Sequence, residues 1–178
     1  MFKFNGFRRT AAAAAVLALG AGGAAWAAAS ASASAAPAAI GRCTSGNLAI
    51  WVYADGSDTV GNTTFYNLEF SNLGRSTCSL TGFPGVVATS LHRVELGAPA
   101  VREYGVPSKT IDLAPGATAH SLIGYVGGQV KAACKPASAG YLQVTPPNSA
   151  GSKRAFFPLP VCTTGRVDLN VRRVAVGF

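Results

Sequence analysis

Beyond residue 47 apolar and polar side chains alternate with period two over most of the chain, the pattern of strands that set one face in a core and the other in water. Residues 64–72 are the clearest case, with Tyr66, Leu68 and Phe70 on one face and Asn67, Glu69 and Ser71 on the other. Near residue 50 both faces are fairly apolar, since Leu48, Ile50 and Val52 alternate with Ala49, Trp51 and Tyr53. Trp51 is therefore expected in the core beside Phe70, Phe83, Leu142 and Leu169, each contributing about 1.5–3 kcal/mol on burial. Further strands are expected at residues 85–91, 110–113, 117–126, 141–145, 154–159 and 166–176. In the last of these the apolar phase slips from Val167, Leu169 and Val171 to Val174 and Val176, which predicts a bulge.

Turn chemistry separates these segments: Asp55-Gly56-Ser57-Asp58, Phe83-Pro84-Gly85, Pro115-Gly116, Pro146-Pro147-Asn148 and Gly151-Ser152. No stretch reads as a capped amphipathic helix. Short strands with frequent turns predict an all-β fold, an immunoglobulin-like antiparallel two-sheet sandwich, with a closed barrel as the alternative. The domain spans residues 37–178, with no internal repeat and no linker to divide it.

Residues 1–40 are of another kind, holding 18 alanines. Lys3, Arg8 and Arg9 precede a weakly apolar run that ends in small residues, the order of a secretory signal peptide. Cleavage is expected between about residues 31 and 38, taking residues 1–36 as the leader. Arg8-Arg9 resembles a twin-arginine start, but Thr10-Ala11-Ala12 stand where bulky apolar residues are usual, which favours the general secretory route. Arg42 before Cys43 spoils a lipoprotein site, and the Ala- and Gly-rich run is too weakly apolar for a retained span. A soluble, secreted monomer is expected.

The leader also distorts the composition. The chain of 178 residues carries 15 Lys and Arg against 7 Asp and Glu and is 49% hydrophobic. Without residues 1–36, 12 basic and 7 acidic residues remain, net +5, and the hydrophobic count falls from 87 of 178 to 63 of 142. The greasiness belongs largely to the leader; the mature domain is ordinary in composition.

All four cysteines, Cys43, Cys78, Cys134 and Cys162, follow the leader, and an even count in an exported chain reads as disulfides. Cys43–Cys78 with Cys134–Cys162 is preferred because each pair flanks two consecutive strands; loops of about 30–35 residues contribute roughly 3–4 kcal/mol each. The rival, Cys43–Cys162 with Cys78–Cys134, stays open. No C-x-x-C or neighbouring histidine supports a metal, and no cofactor is expected.

The mature chain resembles a known family. It carries Cys43 before a strand, then Phe70-Ser71-Asn72-Leu73-Gly74-Arg75-Ser76-Thr77-Cys78-Ser79-Leu80-Thr81-Gly82-Phe83-Pro84-Gly85-Val86. Leu113-Ala114-Pro115-Gly116-Ala117-Thr118-Ala119 follows, then Cys134-Lys135-Pro136-Ala137, Leu142-Gln143-Val144-Thr145-Pro146-Pro147 and Cys162 before the final strand. These pieces are similar to the exported actinobacterial domain of unknown function numbered 4232, over about residues 43–176. The resemblance implies an exported or lipid-anchored immunoglobulin-like sandwich and no particular activity.

Candidate chemistry is sparse. His92 and His120 are the only histidine bases; His120 adjoins Ser121, but neighbours on a strand face opposite ways, and no G-x-S-x-G elbow exists. A hydrolase built on either histidine, with an acid such as Asp112, is the enzymatic alternative. Asp55 and Asp58 are too few for calcium and read as a hairpin turn; Asn62-Thr63-Thr64 is a glycosylation sequon on paper. Residues 98–109 form a loop that a protease inhibitor would use. Lys131, Lys135, Lys153, Arg154, Arg166, Arg172 and Arg173 gather in the C-terminal third, as contacts for a cell-surface polyanion or an acidic extracellular protein. The leading reading is a non-catalytic extracellular binding module.

Overall fold

In a computed structural model of the protein, residues 39–105, 107–127, 134–164 and 168–177 are described; residues 1–36, the expected leader, lie outside them. The described residues form strands and connections, without an α-helix. In chain order the strands are β1 (Gly41–Arg42), β2 (Leu48–Val60), β3 (Thr63–Asn72), β4 (Cys78–Thr81), β5 (Gly85–Thr89), β6 (Glu95–Leu96), β7 (Val101–Arg102), β8 (Thr110–Leu113), β9 (Thr118–Tyr125), β10 (Pro136–Thr145), β11 (Lys153–Cys162) and β12 (Leu169–Val171).

They assemble into three sheets: a five-stranded one, β2-β3-β9-β12-β7; a four-stranded one, β11-β10-β5-β6; and a small one, β1-β4-β8. Pairing is antiparallel except for β1 with β4 and β12 with β7. The result is an open, sandwich-like all-β fold whose larger sheets meet through their inner faces. Tyr66 of β3 packs edge-on against Phe157 of β11 at 4.8 Å. The Tyr125 hydroxyl donates to the Pro160 carbonyl at 2.6 Å, crossing between the same sheets.

Register explains which side chains form the core. Ile50 lies opposite Phe70 and Val52 opposite Leu68, so the 48–50–52 phase of β2 joins the inner face of β3. Leu48, Leu68, Phe70, Leu80, Leu113, Ile123, Leu142, Val144 and Val171 are fully buried. Trp51 consequently falls in the other phase, opposite Glu69, and is 39% exposed. The expectation of a core tryptophan fails because local alternation cannot rank two apolar faces, whereas pairing with an unambiguous strand does.

The hairpin turn is also displaced from its expected place. Asp55–Asp58 lie within β2, where the register with β3 slips between Tyr53 and Asp58. The chain reverses at Gly61-Asn62, between the paired Val60 and Thr63. Gly61 has φ +60°, the conformation a two-residue hairpin loop asks of its first residue. Thr59, Val60, Thr63 and Thr64, with β-branched side chains suited to a ladder, extend the pairing past the Asp-Gly signal.

Two bridges staple the fold, Cys43 to Cys78 and Cys134 to Cys162. The first ties the residue following β1 to the start of β4; the second joins the segment entering β10 to the end of β11. Asn72, fully buried at the end of β3, organises the loop before Cys78. Its Nδ2 donates to the Ser76 and Leu113 carbonyls, both at 2.9 Å, and its Oδ1 accepts from the Gly74 N–H. Such complete pairing makes a buried amide tolerable.

Candidate functional site

The expected last strand is interrupted. Val171 faces Ile123, but Ala175 rather than Val174 faces His120, so one extra residue enters the β12 side. The Arg172 N–H still donates to the Leu122 carbonyl, and His120 and Ala175 exchange both backbone bonds. This bulge redirects two consecutive arginines. The Arg172 guanidinium lies 4.7 Å from the Phe65 ring centroid, and its Nε donates to Glu103 Oε2 at 2.8 Å. Arg173 turns toward Phe83, 4.9 Å from its centroid, with Tyr104 at 6.0 Å.

The chain before β8 supplies the opposite wall. Its start is tied down: β7 pairs with β12, and the Glu103 N–H donates to the Val171 carbonyl at 2.9 Å. Between these walls lies a cleft of about 560 Å³, lined by Tyr104, Lys109, His120, Leu122, Arg172 and Arg173 among others. Its wall is largely apolar, from Pro107, Ile111, Leu122, Val174 and Val176. Cationic groups around such a wall can hold an anion while the wall takes an apolar or ring-shaped body.

His120 points away from the core, across from Glu69 of β3. Burial holds its imidazole pKa below the ordinary value, favouring the neutral form, which has one donor and one acceptor. Burial likewise raises the Glu69 pKa. Ser121 is fully buried on the opposite side of β9, its hydroxyl donating to the Arg172 carbonyl at 2.6 Å. Ser121 and His120 are therefore not a nucleophile and its base. His92 and Asp112 are exposed, on the turn after Leu91 and on β8.

The seven basic residues named from sequence have separate fates. Lys131 and Arg166 lie outside the described residues. Lys135 is exposed beside the Cys134–Cys162 bridge. On β11, Lys153 Nζ donates to the Leu48 carbonyl, and Arg154 stacks on Tyr141 at 3.8 Å while donating to the Ser90 carbonyl at 3.2 Å. Of the five that are described, only Arg172 and Arg173 line the cleft. There they join Lys109 and His120, which sequence spacing gave no reason to group.

Among the described residues no cluster of three or more His, Cys, Asp or Glu side chains is arranged to hold a metal. No described helix is long and apolar enough to cross a membrane. Fold and site thus define a disulfide-braced β domain with a cationic, apolar-walled cleft at one sheet's bulge. The chain belongs to the DUF4232 family, described as a domain of unknown function, whose model matches residues 43–177. No curated protein and no solved structure matches the chain.

Proposed function

We propose that the protein is exported with loss of its leader and works outside the cell as a monomeric, non-catalytic binding module that receives an anionic group in the cleft. The observation that carries this reading is the meeting of Lys109, Arg172 and Arg173 around an apolar wall, with Glu103 the acid on the lining. The basic start, apolar run and small-residue end of residues 1–36 support export, as do the two disulfides, which persist in oxidising compartments. Within residues 98–109, Glu103, Tyr104, Gly105, Pro107 and Lys109 line the cleft, which suits a wall better than a protease-inhibiting loop. Ala100 N–H donates to the Val86 carbonyl, and Val101 to Glu103 are bonded to the molecule's own sheets.

The test uses protein recovered from the culture fluid of expressing cells. N-terminal sequencing is expected to start between about residues 32 and 39. Calorimetry is expected to show salt-sensitive binding of a uronic-acid oligosaccharide and of inorganic polyphosphate, weakened at least about tenfold by the pair Lys109→Ala and Arg172→Ala. Retention of the chain in the cell, or binding of neither anion, defeats the proposal.

A further inference from the structure

The cleft opens onto the outward face of the five-stranded sheet, where the register sets one cross-strand row beside another. Trp51 of β2 faces Glu69 of β3, which faces His120 of β9; Tyr53 faces Asn67, which faces Leu122. His120 and Leu122 also line the cleft. Across three strands the surface passes from two aromatic rings, through a carboxyl, an amide and an imidazole, to cations.

The rings are available from solvent. Trp51 is 39% and Tyr53 51% exposed, and residues two apart on a strand stand about 7 Å from each other on the same face. Neither stacks on another ring among the described residues. Two strand spacings separate Trp51 from His120, roughly 10 Å. A single exposed aromatic needs no explanation; two in register, beside hydrogen-bonding side chains and a cationic cleft, do.

We infer that the anionic ligand of the cleft is an acidic glycan, whose sugar rings lie on Trp51 and Tyr53 and whose acid groups enter the cleft at Lys109 and Arg172. This rests on the cleft reading above. Each part of the surface matches one part of that ligand. The C–H face of a sugar ring packs on an aromatic plane, losing apolar surface to water on both sides. Hydroxyls at the ring edge exchange hydrogen bonds with the Glu69 carboxyl and the His120 imidazole. A carboxylate or sulfate pairs with Arg172, whose planar fork suits oxyanions. A ring-free polyanion would leave Trp51 and Tyr53 without a role, and a neutral glycan would leave the cations without one.

Removal of the leader takes Trp26 away, so Trp51 is the single tryptophan of the mature chain and reports on its own contact. The experiment titrates mature protein with a uronic-acid oligosaccharide, a neutral oligosaccharide of equal length and inorganic polyphosphate, following Trp51 emission and heat. The acidic oligosaccharide is expected to shift Trp51 emission and to bind most tightly. Tyr53→Ala should weaken it about tenfold while leaving polyphosphate within about twofold. Trp51→Ala, read by heat, should do the same, and Trp51→Phe should restore much of the loss. Arg172→Ala should weaken both anions. Equal binding of polyphosphate and acidic glycan, indifferent to Trp51 and Tyr53, overturns the glycan inference and leaves the anion cleft standing. Absence of binding by either anion removes both. A concentration-dependent Trp51 shift without ligand, accompanied by dimer in sedimentation, overturns the glycan inference in favour of a second copy on this face.

Discussion

The outward faces of the two larger sheets use similar residues to opposite effect. On the four-stranded sheet Arg154 lies over Tyr141, Tyr141 packs edge-on against Phe156 at 5.5 Å, and the arginine donates to the Ser90 carbonyl. Its edge strand, β11, carries Pro158 and Pro160, which have no N–H to offer another strand. On the five-stranded sheet Trp51 and Tyr53 remain open, and the β12 bulge places Arg172 beside a cleft. Composition alone does not distinguish the faces. In one, the aromatic pair is covered by its own cation; in the other, Arg172 lies over Phe65 and pairs with Glu103, while Trp51 and Tyr53, two strands from the cleft, have no cation over them among the described residues.

The comparison can be tested by substitutions on each side, beginning with the bonds that hold both faces in place. Replacing Cys134 and Cys162 by serine should cost the most, about 3–4 kcal/mol in chemical denaturation. While the variant stays folded, its affinity at the anion cleft should be unchanged, since neither cysteine lines it. Asn72→Ala should cost about 2–3 kcal/mol by the same measurement, because three hydrogen bonds are lost and buried carbonyls are left unmet. A near-neutral result would mean that water replaces the amide.

The sharpest contrast pairs the two arginines. Arg154→Ala should lower stability by about 1 kcal/mol and leave anion binding intact, since that side chain is engaged within its own sheet. Arg172→Ala should change stability less, its ion pair with Glu103 being partly exposed, yet weaken anion binding about tenfold. Interchanged phenotypes would dissolve the distinction between the faces.

The smallest expected effects come from pH. Glu69 has a raised folded pKa, so its favourable contribution is present below the ordinary value of about 4.3 and is lost as pH rises through the folded value. Glu69→Gln should therefore raise Tm at pH 7, the gain shrinking toward zero near pH 4. His120 has a lowered folded pKa, so its contribution is present above about 6.5 and is lost as pH falls through the folded value. His120→Gln should remove that part of the acid-side decline. Both shifts come from burial of these cross-strand neighbours.

Much of the fold was legible in the alternation. The strands of residues 64–72, 85–91, 110–113 and 117–126 occur close to their expected bounds, and the slip in phase after Val171 corresponds to a real bulge. The two-residue strands β1, β6 and β7 were not legible, being too short for a period to register, and β4 was also missed, although β8 of the same four-residue length was expected. The site was legible only in fragments. Arg172 and Arg173 were grouped with Lys153 and Arg154, which belong to another sheet. Trp51 was assigned to the core, and Lys109 had no partner in view.

The linear sequence determined what depends on near neighbours: an alanine-rich N-terminal segment distinct in composition from the domain, strand periodicity, the turn glycines and a supply of cysteines. Tertiary structure decided what depends on register. Pairing with Leu68 and Phe70 chose the inward face of β2 and turned Trp51 out. One extra residue against β9 redirected Arg172 and Arg173, and pairing of β7 with β12 brought the wall carrying Lys109 alongside. A one-residue change in register reverses every side chain on a strand, so a surface assembled from four strands and a loop is fixed only when all of them pair.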